Sequence, residues 1–109
     1  MTDSKDILQA LLDFRDARDW QQFHNPKDLA LGLSIEAAEL NELFLWKRPE
    51  EANVEKVKEE LADILSYALL LAHHYKLDPN HIILEKIKAN AIKYPIEKSK
   101  GNATKYTEL

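Results

Sequence analysis

The sequence predicts an all-α fold: a four-helix bundle-type subunit that assembles into a helical homo-oligomer. Three observations carry this reading. Apolar residues recur at helical spacing along most of the 109 residues. With 2 Gly and 4 Pro, the chain has little material for hairpin turns. Two Asx-Pro pairs, Asn25-Pro26 and Asp78-Pro79, mark places where helices start. The length suits one domain, 1–109, ending in a polar tail over 95–109.

Each element follows in order. Ile7, Leu8, Leu11, Leu12 and Phe14 predict a first helix over about Ser4 to Asp19. Asn25 suits an N-cap, and Pro26 at the first helical position gives up only an orphan N–H. No strong breaker follows until Pro49, so the second helix is expected over about Pro26 to Lys47. The third is expected over Glu51 to Tyr75, with Leu61 to Ala72 apolar nearly all round and therefore buried. The fourth opens at Asp78-Pro79 and ends before Pro95, with Ile83, Ile87 and Tyr94 toward the core. The remainder, 95–109, is polar and without periodicity.

Composition excludes several function classes. The absence of Cys removes disulfide frameworks, thiol nucleophiles and zinc ribbons. Fifteen Lys+Arg against nineteen Asp+Glu give a net charge of −4, the wrong balance for binding a nucleic-acid polymer. The stretch from Leu61 to Ala72 is interrupted by Asp63 and Ser66 and is too short to span a bilayer. No apolar leader is visible at the start, and a cytoplasmic protein is expected.

The informative feature is where the carboxylates fall. On a helical wheel Glu36 lies amid Leu29, Leu33, Leu40 and Leu43, all within roughly 60° of it. Glu39, one turn on, sits at the edge of that apolar stripe, and Gly32, one turn before, leaves room for a ligand or a second backbone. The third helix repeats the device with Glu60 and Asp63, joined by Ser66 and Tyr67 on one polar arc. Antiparallel packing lets the four side chains converge. Four acidic groups in one pocket need a counter-ion, and an all-oxygen set favours Mg²⁺ or Mn²⁺ over Zn or Cu. A di-iron bundle is disfavoured because His73 and His74 lie more than two turns beyond Asp63. Solvated faces explain Glu42, Glu50, Glu51, Glu55 and Glu59.

The segments EAAEL-NELFLW and EELADIL resemble the MazG-like nucleoside triphosphate pyrophosphohydrolases of the all-α NTP pyrophosphatase superfamily. Their signature is two ExxE/ExxD pairs on adjacent helices. Further segments, RDWQQFHNP, FLWK, SYALLLA, KYP and KYTEL, resemble its dCTP pyrophosphatase branch. The resemblance implies Mg²⁺-dependent hydrolysis of a (deoxy)nucleoside triphosphate, dCTP or a related dNTP, to the monophosphate and pyrophosphate. It implies that Glu36, Glu39, Glu60 and Asp63 bind metal and act in catalysis, with Glu39 a candidate to orient the water. Lys86, Asn90 and Lys93 recur at i, i+4, i+7 as one polar stripe, and solvation is the plain reading of such a face. In the relatives these positions and Tyr94 lie near the nucleotide, and Lys105 and Tyr106 are expected to close over it. Trp20, Phe23, His24, Trp46 and Tyr67 are the base- and sugar-binding candidates, the two tryptophans matching aromatics that enclose the base in the relatives. Leu11 departs from the branch, standing where relatives can carry a polar ring.

The leucine-rich faces of helices two and three exceed what one small bundle can cover, and the resemblance implies sites built between subunits of a dimer or a dimer of dimers. A non-catalytic helical assembly module would share those faces. A related pyrophosphohydrolase acting on dUTP or phosphoribosyl-ATP would share the carboxylates.

Overall fold

The structure, a computed structural model, describes residues 4–109. It is all-helical, with no strand among the described residues and four main helices. These are α1 (Ser4–Ala17), α2 (Pro26–Glu42), α3 (Val54–His74) and α4 (Pro79–Lys93), followed by a single-turn α5 (Ile96–Ser99). No helix among the described residues is long and apolar enough to cross a membrane. The chain divides into two compact units, Met1–Lys76 and Leu77–Leu109.

The helix starts follow the local chemistry. The Asn25 side chain accepts from Asp28 N–H at 2.9 Å, and Pro26 occupies the first turn where no N–H partner is missed. Asp78 and Pro79 open α4 in the same way, the Asp78 carboxylate accepting from Asn80 N–H at 3.0 Å. α3 starts at Val54 rather than Glu51, because Asn53 is the cap and accepts from both Glu55 and Lys56 N–H. α2 stops at Glu42 rather than Lys47. Its last turn tightens into i→i+3 bonds, Phe44 N–H to Asn41 C=O at 3.0 Å and Leu45 N–H to Glu42 C=O at 3.2 Å. Trp46 then turns left-handed at φ 61° and ends it. α1 ends the same way two residues before expected. Asp19 at φ 53° lets Trp20 N–H bond Arg15 C=O at 3.1 Å, which folds Trp20 back onto Phe14.

α2 and α3 form the principal packing contact of the first unit, and α1 packs on α3. The α2/α3 pair is antiparallel: Gly32 meets Tyr67, and Glu36, one turn further along α2, meets Asp63, one turn back along α3. The buried core is small. Leu29 (2% exposed), Leu70 and Ala72 are its buried apolar residues. Against expectation, α3 is not buried all round, since Leu61 and Leu65 are exposed. Leu31 and Ile35 of α2 are exposed too. All four lie at i, i+4 spacing, an uncovered stripe on each helix.

In the second unit, α4 has no buried residue. Ile83, Ile87 and Tyr94 are exposed rather than turned into a core. The polar tail, without helical periodicity in sequence, carries α5 and a 3₁₀ turn over Tyr106–Glu108. Between them Asn102 braces the chain, its Nδ2 donating to Lys98 C=O at 3.0 Å and its Oδ1 accepting from Thr104 N–H at 3.1 Å.

Candidate functional site

Three of the four carboxylates converge. Glu36 from α2 and Glu60 and Asp63 from α3 each offer an oxygen within 4.8 Å of the others. Glu36 and Glu60 are half-buried and Asp63 is exposed. One oxygen of Glu36 and one of Glu60 are buried without a hydrogen-bond partner among the described residues. No salt bridge among the described residues neutralises any of the three. Buried carboxylate oxygens left this way are costly, and at Glu36 the neutral form is favoured. Glu36 is pushed up to about 7 from its ordinary 4.5. The adjoining Glu60 carboxyl is the main cause, followed by burial, then by Glu39 as hydrogen-bonding and charged neighbour, then by the charge of Asp63. A hard divalent cation fits this set, since it satisfies the orphaned oxygens and the accumulated charge together. Glu39 lies on the exposed side, outside the group of three but close enough to act on Glu36.

Gly32 has a different role from the one expected of it. A Cβ there would stand 2.5 Å from Cε1 of the Tyr67 ring, so the space belongs to this chain's own Tyr67 rather than to a ligand or second backbone. Tyr67 is thereby seated against α2, one turn of α3 beyond Asp63. Ser66, the other polar residue on that arc, donates to Ala62 C=O of its own helix at 2.8 Å.

A cavity of about 690 Å³ runs from Asp63 and Tyr67 across to Trp20 and His24, with Leu11 and Phe14 of α1 in its wall. Phe14 and Trp20 meet edge to face, ring centroids 5.7 Å apart, and the Arg18 guanidinium caps Phe14 at 3.7 Å. His24 is half-buried with Nδ1 unpartnered, and its pKa is lowered by burial and then by the positive charge of Arg15. Phe14 as a wall residue was not evident in the sequence, because an apolar residue at helical spacing reads the same facing a core or a cavity. Its half-exposed ring is what distinguishes the two.

Trp46 does not join this cavity. It is 94% exposed, and its turn follows the end of α2 whereas Trp20 precedes the start. The 17 residues of α2 put about 25 Å of helix between them. In the second unit, Lys86 and Asn90 are exposed on α4. Lys93, Tyr94 and Tyr106 gather: the two tyrosine rings are 5.8 Å apart, and Lys93 Nζ lies 4.9 Å from the Tyr106 centroid. Lys105 precedes the 3₁₀ turn that carries Tyr106.

Comparison with known proteins adds the following. The model of the MazG-like family matches residues 31–109. The dCTP pyrophosphatase 1 of Bos taurus is 40% identical over 113 residues, covering 96% of this chain and 67% of that protein. The Homo sapiens protein of the same name is 36% identical, covering 96% and 66%. The chain thus spans about two thirds of the length of these relatives. A pyrophosphatase crystal structure from Archaeoglobus fulgidus superposes with a TM-score of 0.79 at 39% identity, covering 84% of this chain and 91% of that one.

Proposed function

The chain belongs to the MazG-like family, on the branch of the mammalian dCTP pyrophosphatases, and from that premise we propose that it hydrolyses dCTP or a related dNTP to the monophosphate and pyrophosphate. The observation that carries this reading is the trio Glu36, Glu60 and Asp63: Glu36 and Glu60 each keep a buried, unpartnered oxygen, and Asp63 lines one end of an aromatic-walled cavity. Mg²⁺, with Mn²⁺ as substitute, is the cation that suits the trio. When bound, it neutralises the triphosphate and lowers the pKa of a coordinated water.

The chain's own residues divide the remaining work. Glu36, Glu60 and Asp63 hold the cation, and Glu39, on the solvent side, orients the attacking water. Tyr67 cannot retreat into α2 and offers its hydroxyl to the sugar or a phosphate. Trp20 stacks on the base, an interaction worth about 1–3 kcal/mol. His24, held toward its neutral form, presents a ring nitrogen to the base edge. Leu11 makes the α1 side of the cavity a packing surface rather than a hydrogen-bonding one. Lys86, Asn90, Lys93, Tyr94, Lys105 and Tyr106 keep the nucleotide-binding roles that the family resemblance implies.

We also infer a homo-oligomer, a dimer or a dimer of dimers, working in the cytoplasm. The uncovered stripes Leu31/Ile35 and Leu61/Leu65 favour assembly, and a second copy is the route by which a Trp46 reaches a base held by Trp20. The stripes alone would equally suit a helical module without catalysis. A panel of nucleoside triphosphates with Mg²⁺, read for monophosphate and pyrophosphate, separates the readings. Turnover of dCTP to dCMP and pyrophosphate is expected. Nucleoside diphosphate with orthophosphate, or no turnover of any triphosphate, would overturn the proposal.

A further inference from the structure

A second cavity, of about 450 Å³, lies toward the start of α2 and the end of α3, in the first unit. Its polar lining is one-sided. Arg15 and Lys76 bring positive charge, and His24, His73 and His74 bring imidazoles. Gln21 adds an amide donor, whereas Gln22 Nε2 is already spent on Asp19, and no carboxylate lines the cavity among the described residues. The nearby acids are engaged locally: Asp16 with Arg15 Nε at 2.8 Å, Asp19 with Gln22 Nε2 at 3.1 Å and Asp28 with Asn25 Nδ2 at 2.7 Å.

Two of the lining groups are under-used. The Arg15 side chain is only 12% exposed, yet among the described residues its guanidinium has no partner beyond the single Asp16 bond. Four N–H donors are left in a fixed, planar fork. His24 Nδ1 is buried with no partner. Buried polar atoms are normally satisfied, so the orphaned His24 Nδ1 beside the unused Arg15 N–H groups suits the lining to an acceptor-rich visitor. A tetrahedral oxyanion presents acceptors in several directions at once. It can take the Arg15 fork, the Lys76 ammonium and imidazole N–H groups together.

We propose that this second cavity binds a small phosphate-bearing anion, held by Arg15 and Lys76 with His24 and His73 as further donors. It is not the carboxylate site, because none of Glu36, Glu39, Glu60 or Asp63 lines it. Arg15, His24 and Leu70 wall both cavities, so an anion here stands directly behind the Trp20 pocket. The proposal does not depend on the hydrolase reading.

The test is calorimetric titration of sodium pyrophosphate into the full chain in excess EDTA, where no cation can bridge the anion to the carboxylates. Saturable binding at one site per chain is expected. Lys76 sits at φ 57°, a conformation Asn tolerates well, so Lys76→Asn removes the charge and keeps the turn. Lys76→Asn and His73→Ala should each weaken binding about tenfold, while Glu36→Gln leaves it unchanged. Circular dichroism and melting of each variant confirm that the fold persists. A second titration, with a nucleoside monophosphate, distinguishes the source of the phosphate. The same loss on Lys76→Asn assigns the site to a nucleotide phosphate as well, and binding of pyrophosphate alone assigns it to the free anion. No saturable binding, binding by both variants as tight as by wild type, a loss with Glu36→Gln, or malonate binding as tightly as pyrophosphate would each overturn the proposal.

Discussion

The two ends of α2 are built on opposite terms. At its start, Asn25 caps, Pro26 fixes the first turn, Leu29 is buried and Gly32 lies against the Tyr67 ring. At its end the chain tightens, turns left-handed at a tryptophan and leaves that indole in water. Asn25, Leu29 and Gly32 each meet neighbours within this chain. Trp46 has none among the described residues, although a left-handed non-Gly residue costs about 1–2 kcal/mol. The start of the helix is shaped by packing, and its end by a tightened last turn and a left-handed residue whose indole is left in water. Glu36 lies between the two, half-buried beside Glu60 and Asp63 and unsatisfied in charge.

The largest effect should come from Glu36. Replacing it with Gln removes a ligand of the proposed cation while preserving shape, and kcat should fall at least about a hundredfold, or about 2.7 kcal/mol of barrier. Retained turnover in that variant would detach the carboxylates from the chemistry. The same variant carries a pH signature in EDTA. In the folded chain Glu36 binds its proton up to about pH 7, whereas unfolded it releases it near 4.5. Its contribution to stability is therefore full below about pH 4.5 and lost as pH rises through about 7. Urea midpoints at pH 5 and pH 8 should show wild type losing more stability than Glu36→Gln over that interval. Parallel behaviour would mean that Glu36 keeps an ordinary pKa. Mg²⁺ should erase the difference by holding the carboxylate ionised.

Next in size is Gly32→Ala. Its Cβ would enter the Tyr67 ring, and overpacking of this kind costs about 1–3 kcal/mol. Melting temperature should fall, and kcat/KM with it, because Tyr67 is displaced from beside Asp63. The double variant Gly32→Ala, Tyr67→Leu should recover stability without recovering activity. A single variant as stable and active as wild type would show that Tyr67 moves freely, and the packed half of α2 would lose its claim to position the site.

How much of this was legible in the sequence follows the same division. Asn25-Pro26 and Asp78-Pro79 announced helix starts because capping is local chemistry, readable from two residues. The end of α2 was not readable, because Leu43 to Trp46 contains no breaker and the stop comes from bond tightening in three dimensions. Asn53 was missed as a cap since Glu50 and Glu51 before it look like a first helical turn. The carboxylate positions were legible because a charge inside a leucine stripe is anomalous on any helical wheel. Glu39 has the same spacing as Asp63 yet falls outside the group of three, and only the register between helices separates them. Gly32 looked like space, and knowing what fills it required knowing where Tyr67 lands. The exposed isoleucines of α4 looked like core, since periodicity reports which residues share a face and not what covers it.

The smallest and most discriminating effect belongs to Trp46. If its ring encloses a base, Trp46→Ala should raise KM for dCTP about tenfold, a loss of about 1.4 kcal/mol of stacking, with metal binding intact. Because the side chain is 94% exposed in the single chain, the same change should leave the melting temperature of a monomer untouched. Trp46→Gly removes the ring as well but also relieves the left-handed backbone at φ 61°. It should melt higher than Trp46→Ala by several degrees, the shift that about 1 kcal/mol produces in a domain of this size. Both variants should show the same KM, since neither has a ring. A melting temperature that falls with Trp46→Ala and depends on protein concentration would place the indole in a contact between copies, where its loss weakens assembly. A stable variant with unchanged KM would leave the strained turn without a purpose, and the contrast between the two ends of α2 would rest on Gly32 alone.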